Sequence, residues 1–362
     1  MVIPDHINMA REVPARTRGK FTGHIERFEY KMLFYDAFHV GTHVRLIGPP
    51  LLNLNADLRD ASIRTDGKLR NPTLCDVDMT QASVIENVFF KPDVLSIEAN
   101  GWATESAITK RDNSSFAGRK VLITMSKNNP LEWIADWVNF YVRIHGVDAV
   151  LFYDNGSTEY APEDILKTLK NCDGLKSIIV VEWPFKYGPQ GEVRGAGGGA
   201  GYCQVSMLSH ARYKYLTTAR AVVYVDIDEL VVSNDGRSLF DHLDRQETGV
   251  LLMPGFFIED ADIDRMPRFT DFSEWIPSLD PSPAKWAYLP SRLPKNALLA
   301  VHAVNETGLR IRPSKSVAFR HFLGMTTRWN ALRIATRHPR IGERAIDHDL
   351  LRDLQRAFGT DR

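Results

Sequence analysis

From Arg119 onward, short uninterrupted apolar runs alternate with stretches of helical periodicity, and this constrains the fold more than any other feature of the chain. Val121–Met125, Ala149–Tyr153, Ser177–Val181 and Ala221–Val225 are the apolar runs. Between them, Leu131, Ile134, Val138 and Tyr141 recur at helical spacing, Pro162–Leu169 reads as a short helix, and Cys203–Thr217 places Leu208, Ala211 and Tyr215 on one face. Runs without polar alternation are strands buried on both faces, and helical connections between them make neighbouring strands parallel. Asn129-Pro-Leu-Glu132 marks the start of the first helix, with Asn as cap, Pro at the first helical position and Glu placed to close a capping box. The pattern predicts an α/β domain on a mainly parallel sheet flanked by helices.

The flanking regions differ in texture. Residues 1–118 carry short apolar runs, Phe28–Phe34, His43–Ile47 and Val84–Phe90, cut by turn formers such as Gly48-Pro49-Pro50 and Asp66-Gly67. That composition reads as a β-rich region, ended by a polar break at Lys110–Ser115. Beyond Gly249, the runs Gly249–Met253 and Leu298–Val304 read as strands, and Ile346, Leu350, Leu354 and Phe358 recur every fourth residue as in a terminal helix. The expected organisation is therefore 1–118, 119–330 and a helical extension over 331–362.

Composition narrows the class. With 362 residues, 44% hydrophobic and 25% charged, the chain is long enough for a substantial core and unlike a disordered or fibrous sequence. Lys and Arg number 45 against 45 Asp and Glu, so the chain lacks the basic excess of a dedicated nucleic-acid binder. Three widely spaced cysteines, Cys75, Cys172 and Cys203, form neither a disulfide framework nor a zinc signature. No secretory signal and no run of 18 apolar residues is visible, so a cytoplasmic location is expected.

The chemistry concentrates in Val223-Tyr-Val-Asp226-Ile-Asp228-Glu229-Leu230, where an apolar strand ends in two carboxylates one residue apart. Ligands of α/β sheets sit beyond the carboxyl ends of strands. Two hard oxygen ligands there suit Mg²⁺ or Mn²⁺, which would hold a phosphate-bearing substrate. The plainer alternative is that Asp226 and Asp228 cap a strand and start a turn. An earlier strand ends in Asp154-Asn155-Gly156-Ser157, where a carboxylate could meet a ribose or base edge above a tight turn.

Taken in order, Met125-Ser-Lys127-Asn128, Leu131-Glu-Trp133, His145-Gly-Val147, Tyr153-Asp-Asn-Gly-Ser-Thr158 and Asp226-Ile-Asp-Glu-Leu230 resemble glycosyltransferases of the GT-A fold. The particular likeness is to the family-2-like group allied to glycosyltransferase family 92, over residues 119–330. It implies a Rossmann-like GT-A fold with a mixed, mainly parallel sheet flanked by helices, and a hexosyltransferase-like reaction. In that reading a metal-dependent enzyme moves a sugar from a nucleotide-sugar, UDP-linked, to a hydroxyl of a glycan or glycolipid, with inversion, in cell-surface polysaccharide or glycoconjugate synthesis.

Carried over by residue, the likeness places Thr124, Ser126, Lys127, Asn128, Asp154 and Asn155 at the nucleotide, and Asp226 with Lys285 at the donor diphosphate. Asp226 and Asp228 hold Mn²⁺ or Mg²⁺ with a histidine, His302 by position, with His321 as competitor. Asn129, Glu159 and Leu230 stand where the family usually has Glu, Asp and Phe. An inverting transfer needs a base near the acceptor. Asp260, ahead of Glu259 and Asp262, follows the strand after the Asp-x-Asp and fits that role. Gly195–Gly201 reads as a lid over the donor rather than a P-loop, since it lacks the Gly-Lys-Ser/Thr ending. Trp275, Trp286 and Tyr288 could stack an acceptor sugar or pack in the core.

Two other functions compete. A phosphatase of the haloacid-dehalogenase type also ends a strand in Asp-x-Asp, with the first Asp as nucleophile, although no downstream lysine is clearly placed to complete such a site. A carbohydrate-binding GT-A protein without activity is the non-enzymatic alternative. The neutral total hides an uneven distribution: residues 226–280 hold 14 acidic and 4 basic side chains, and residues 309–362 hold 12 basic and 5 acidic. The basic block, with Arg328, Arg333, Arg337, Arg340 and Arg344, could meet a diphosphate or the inner face of a membrane, or pair with the acidic block.

Overall fold

The computed structural model describes residues 1–13, 25–77, 79–99, 101–188, 201–258, 265–277, 281–305, 311–325 and 343–359. The chain divides into two compact units, Met1–Ser114 with Phe185–Thr217, and Ser115–Pro184 with Thr218–Arg362. Among the described residues, no helix is long and apolar enough to cross a membrane.

The first unit is β-rich. β1 (Asp36–Val40), β2 (His43–Ile47) and β7 (Ser83–Ile85) form one antiparallel sheet. β3 (Ser62–Thr65), β4 (Lys68–Arg70), β8 (Val94–Ala99) and β9 (Trp102–Ala107) form a second, and β5 (Asp76–Val77) pairs β6 (Thr80–Gln81). Helix α1 (Leu54–Asp57) and the core residues Leu33, Phe34, Val44, Leu46, Leu95 and Ile97 fill the space inside. The run Phe28–Phe34 forms no strand; it buries Phe28, Leu33 and Phe34 in a loop. The run Val84–Phe90 stops pairing at Ile85.

Helix α4 (Tyr202–Lys214, fourth in chain order) belongs to this unit rather than to the 119–330 stretch where its place in the sequence put it. The physical reason is its polar residues. Ser206 Oγ donates to Gly48 O at 2.8 Å, and buried His210 meets Asp36 Oδ2 at 2.9 Å. These buried hydrogen bonds tie the helix to β1 and the β2–β3 connection, and apolar periodicity does not register them.

The second unit carries a ten-stranded mixed sheet. β12 (Ser177–Glu182), β11 (Ala149–Asp154), β10 (Lys120–Ser126) and β13 (Ala221–Tyr224) are adjacent and parallel in that order. Helices α2 (Leu131–Phe140) and α3 (Pro162–Lys170) connect the first three. Ile134, Val138 and Tyr141 are fully buried, as the helical spacing requires. The helix starts one residue later than the Asn129 cap implies, with Pro130 at the cap position and Asn129 Nδ2 donating instead to Ser126 Oγ at 2.8 Å.

The parallel run ends at β13. β17 (Ser282–Tyr288) lies antiparallel between β13 and β15 (Val250–Ile258). β14 (Glu229–Ser233) pairs antiparallel with β20 (Val317–Phe322), which runs parallel to β15. β16 (Glu274–Trp275) and β21 (Ala345–Ile346) extend the edge, and β18 (Leu298–Ala300) and β19 (Ala303–Asn305) form a separate hairpin. The sheet is mixed, as the resemblance implies, but antiparallel pairings are at least as frequent in it as parallel ones, because the chain after β13 returns through hairpins and loops rather than helical crossovers. α5 (Leu239–Asp244) and α6 (His348–Phe358) complete the helices. The expected extension over 331–362 is instead part of this body where it is described: Leu350, Leu354 and Ala357 join its core.

Candidate active site around Asp228, Glu229 and His321

Chain order fixes where a site can form. The chain runs from β10 outward to β11 and β12, then returns to β13 on the other side of β10. Where strand order reverses, the connections diverge and leave a crevice beyond the carboxyl ends. Asp226 and Asp228 follow immediately after β13, in the turn into β14.

Four more side chains close on that turn. The Lys285 ammonium, on β17, lies 2.6 Å from Asp226 Oδ2 and 3.4 Å from Glu229 Oε2. Glu229 Oε2 also accepts from Asp226 N at 2.9 Å, clamping the turn. His321, on β20 opposite Glu229 in register, approaches Asp228 Oδ2 with Nε2 at 3.2 Å. Its Nδ1 lies 3.2 Å from Ser282 Oγ and 3.7 Å from Glu229 Oε1. Asp228, Glu229 and His321 thus offer three ligand atoms within 4.8 Å of one another, with Asp228 the most open.

The charges are perturbed by their setting. Burial pushes the Glu229 carboxyl up to about 7, against the pull of Lys285. Burial works to lower the Lys285 pKa but is outweighed by Asp226 and Glu229, which raise it, so the ammonium stays protonated. Lys285 is fully buried and held by two carboxylates, an arrangement that leaves it no freedom to move as a surface lysine does.

The backbone beneath the cluster is braced from α2. That helix passes into a five-residue π-turn, Tyr141–His145, closed by Gly146 at φ 67°. The wider turn aims both rings at β14. Tyr141 Oη donates to Glu229 O at 3.1 Å and accepts from Val231 N at 3.0 Å. His145 Nε2 meets Val231 O at 2.8 Å, and its Nδ1 accepts from Leu239 N at 3.1 Å. In the sequence Tyr141 read only as part of a buried stripe, and His145 only as part of the His145-Gly-Val147 motif.

The remaining candidates are placed as follows. Thr124 is buried on β10, and its hydroxyl finds no hydrogen-bond partner among the described residues. Lys127 is exposed. Asn128, at φ 55°, binds across to the next loop, accepting from Thr158 N at 2.7 Å and donating to Thr158 Oγ1 at 3.1 Å. Asp154 is buried and spends its carboxylate on its own turn, accepting from Ser157 Oγ at 2.5 Å and Ser157 N at 3.1 Å. Asn155 donates to Trp183 O at 2.7 Å. These residues gather at the ends of β10 and β11, beside β13.

His302 lies in the β18–β19 turn, its Nδ1 3.1 Å from Ala284 O, and is outside the three-ligand group. Local desolvation and then Lys285 push its pKa down to about 4, although the residue retains solvent exposure, so it is neutral near pH 7. Trp286 and Tyr288 are core residues, with Trp286 Nε1 donating to Ala300 O at 2.8 Å. Glu259, Asp260 and Asp262 lie outside the described residues, as do 195–200 and Arg328, Arg333, Arg337 and Arg340. The acidic and basic blocks do pair in part, since Arg344 meets Glu274 at 3.3 Å, while buried Arg320 binds Asp347 within the basic block itself.

No family model matches the chain, and no curated protein matches it. Among solved structures, an active-site mutant of LgtC is similar at 16% identity with a TM-score of 0.27, covering 48% of this chain and 58% of that one. Galactosyltransferase LgtC with donor and acceptor sugar analogues matches at 18% and 0.25, over 38% and 46% of the two chains. The WbbM bifunctional glycosyltransferase matches at 10% and 0.25, over 45% and 28%. The matched part spans less than two thirds of each of these proteins, and overlaps this slight leave function to the chain's own residues.

Proposed function

We propose that the protein is a metal-dependent glycosyltransferase, transferring a sugar from a nucleotide donor, UDP-linked, to a hydroxyl of a glycan or glycolipid. The observation that carries this reading is the convergence of Asp228, Glu229 and His321 just past β13, at the reversal of strand order. The order of motifs shared with the GT-A group allied to family 92 supports it independently.

The donor set fits a divalent cation. Two carboxylates and one imidazole suit Mn²⁺ or Mg²⁺, and Asp228 and His321 would hold it with Asp226 alongside. Such an ion, when bound, offsets the charge of a departing nucleoside diphosphate. Lys285 fixes the Asp226 carboxylate and adds a buried positive charge on the same side. Glu229 holds the turn in shape through Asp226 N. Asp260 or Glu259 would take the acceptor proton in an inverting transfer, and the basic segment around Arg328–Arg340 would serve a peripheral site on the cytoplasmic membrane face, with cell-surface polysaccharide as the product class.

One observation favours a second reading. No lysine is clearly placed by the sequence for a haloacid-dehalogenase-type phosphatase, yet Lys285 sits 2.6 Å from Asp226, the residue that would be the nucleophile. The two separate in one experiment. Purified protein with Mn²⁺ is expected to release nucleotide from a UDP-sugar, and Asp228→Ala to abolish it. Retained release in Asp228→Ala, or none with any donor, refutes the transferase; phosphatase activity with acyl-phosphate on Asp226 replaces it.

A further inference from the structure

In the first unit, the connection from β7 to β8 is fixed at both ends and bare in the middle. Val88 is buried in the core, and its backbone N donates to Thr42 O at 2.8 Å. Pro92 is buried, and its carbonyl meets His39 Nε2 at 2.9 Å. Between these anchors Phe89 and Phe90 are 75% and 78% exposed, the most exposed large apolar side chains among the described residues. Single apolar residues scattered over a surface are ordinary, but two adjacent rings held in water on an anchored loop mark a place of contact.

Neighbouring elements widen the patch. Lys68 on β4 places its ammonium 5.3 Å from the ring centre of Phe90, which brings Leu69, next in that strand and 60% exposed, to the same end of the sheet. Exposed Val94, the first residue of β8, is tied to the β3–β4 turn: Asp66 N donates to Val94 O at 3.0 Å, and Val94 N donates to Asp66 Oδ1 at 3.0 Å. Asp93 N donates to the same carboxylate at 3.1 Å, so Asp66 is turned onto the backbone of the loop. Lys68 and Lys91, both exposed, stand beside the rings, while Glu86 and Asp93 lie beyond the two anchors in the chain.

We infer that Phe89 and Phe90, flanked by Leu69, Val94, Lys68 and Lys91, form a docking surface for an anionic lipid bilayer. Rings this exposed make a projection rather than a groove. A protein partner needs a preformed pocket to receive a projection, whereas a bilayer opens around it. Aromatic rings with lysines beside them match the interface, the rings at the acyl boundary and the ammonium groups among the lipid phosphates. The adjoining edge strand does not invite another chain instead, since β4 has only three residues and carries Lys68 and Arg70. The surface is separate from the basic segment around Arg328–Arg340. It goes beyond the proposed transfer reaction and does not depend on it, because docking requires neither metal nor nucleotide-sugar.

Flotation of the full chain with vesicles of phosphatidylcholine and phosphatidylglycerol tests this. The wild type and Asp228→Asn are expected to float alike, which separates docking from the transferase reading. Phe89→Ser with Phe90→Ser is expected to weaken vesicle affinity at least about tenfold. Lys68→Gln with Lys91→Gln is expected to weaken it about tenfold at low ionic strength and less in high salt. In Phe90→Trp, phosphatidylcholine brominated on its acyl chains is expected to quench the added indole beyond the wild-type level, a readout that a contact with headgroups alone does not give. The inference is overturned if the wild type does not float, if the serine pair floats with an affinity within about twofold of it, or if the added indole is not quenched. A wild-type dimer that the serine pair dissociates in sedimentation velocity, without flotation, assigns the patch to a second copy and overturns the lipid reading.

Discussion

His145 makes the fold sensitive to mild acid. Its ring is 1% exposed, and both nitrogens are engaged by backbone groups: Nδ1 accepts from Leu239 N, and Nε2 serves Val231 O. Only the neutral tautomer with hydrogen on Nε2 satisfies both without adding a buried charge. Burial accordingly lowers its pKa to about 4, while an unfolded histidine titrates near 6.5. Between those values the unfolded chain binds the proton and the folded one does not. Unfolding free energy therefore rises with pH across the window, and the stability present above the unfolded value is lost as pH falls toward the folded one. At pH 5 the loss relative to pH 7 is about 2 kcal/mol, approaching about 3 kcal/mol at the lower limit. Urea unfolding of wild type and His145→Gln at pH 7, 6 and 5 measures it, since their difference cancels every other titrating group. The variant is expected to be less stable at pH 7 and to close the gap by about 2 kcal/mol at pH 5. A difference that stays flat between pH 7 and pH 5 would refute the burial of a neutral His145.

Three further outcomes follow from the packing. Tyr141→Phe removes the acceptor of Val231 N and the donor to Glu229 O, and should cost about 1–3 kcal/mol in urea unfolding, with a weaker apparent affinity for Mn²⁺ as the β13–β14 turn loosens. Gly255→Ala places a Cβ 2.1 Å from the Phe319 ring, which is fully buried; thermal unfolding should show a loss of about 1–3 kcal/mol. Lys285→Met strands Asp226 and Glu229 without their shared cation and should cost about 3–5 kcal/mol, measured by the same unfolding experiment. An unchanged midpoint in any of the three removes the contact named from the account.

The alternating runs from Arg119 to Val225 were enough to place four strands and the helices α2 and α3, because burial on both faces leaves a continuous apolar signature in β10, β11 and β13, and β12, half-buried at the sheet edge, is apolar enough to share it. The same reading put Asp226 and Asp228 just past the last strand, where an abrupt change from apolar to acidic marks its end. His321 and Lys285 were visible only as candidates. Neither position has a local pattern that reveals its partner, since the contacts span 93 and 59 residues of chain. Helix α4 misled for a related reason. Its face looked like any amphipathic face, and the choice of unit rested on Ser206 and His210 finding Gly48 and Asp36.

The sequence by itself determined the elements of the α/β body and the acidic end of β13, because periodicity and capping act between residues close in the chain. Tertiary structure alone decided which strands beyond β13 run antiparallel, that His321 reaches Asp228 where His302 stays outside the three-ligand group, and that Tyr141 and His145 brace β14. Those outcomes depend on strand register and on a π-turn that rotates two side chains. Register is set by the whole sheet closing at once, so no short stretch of sequence carries it.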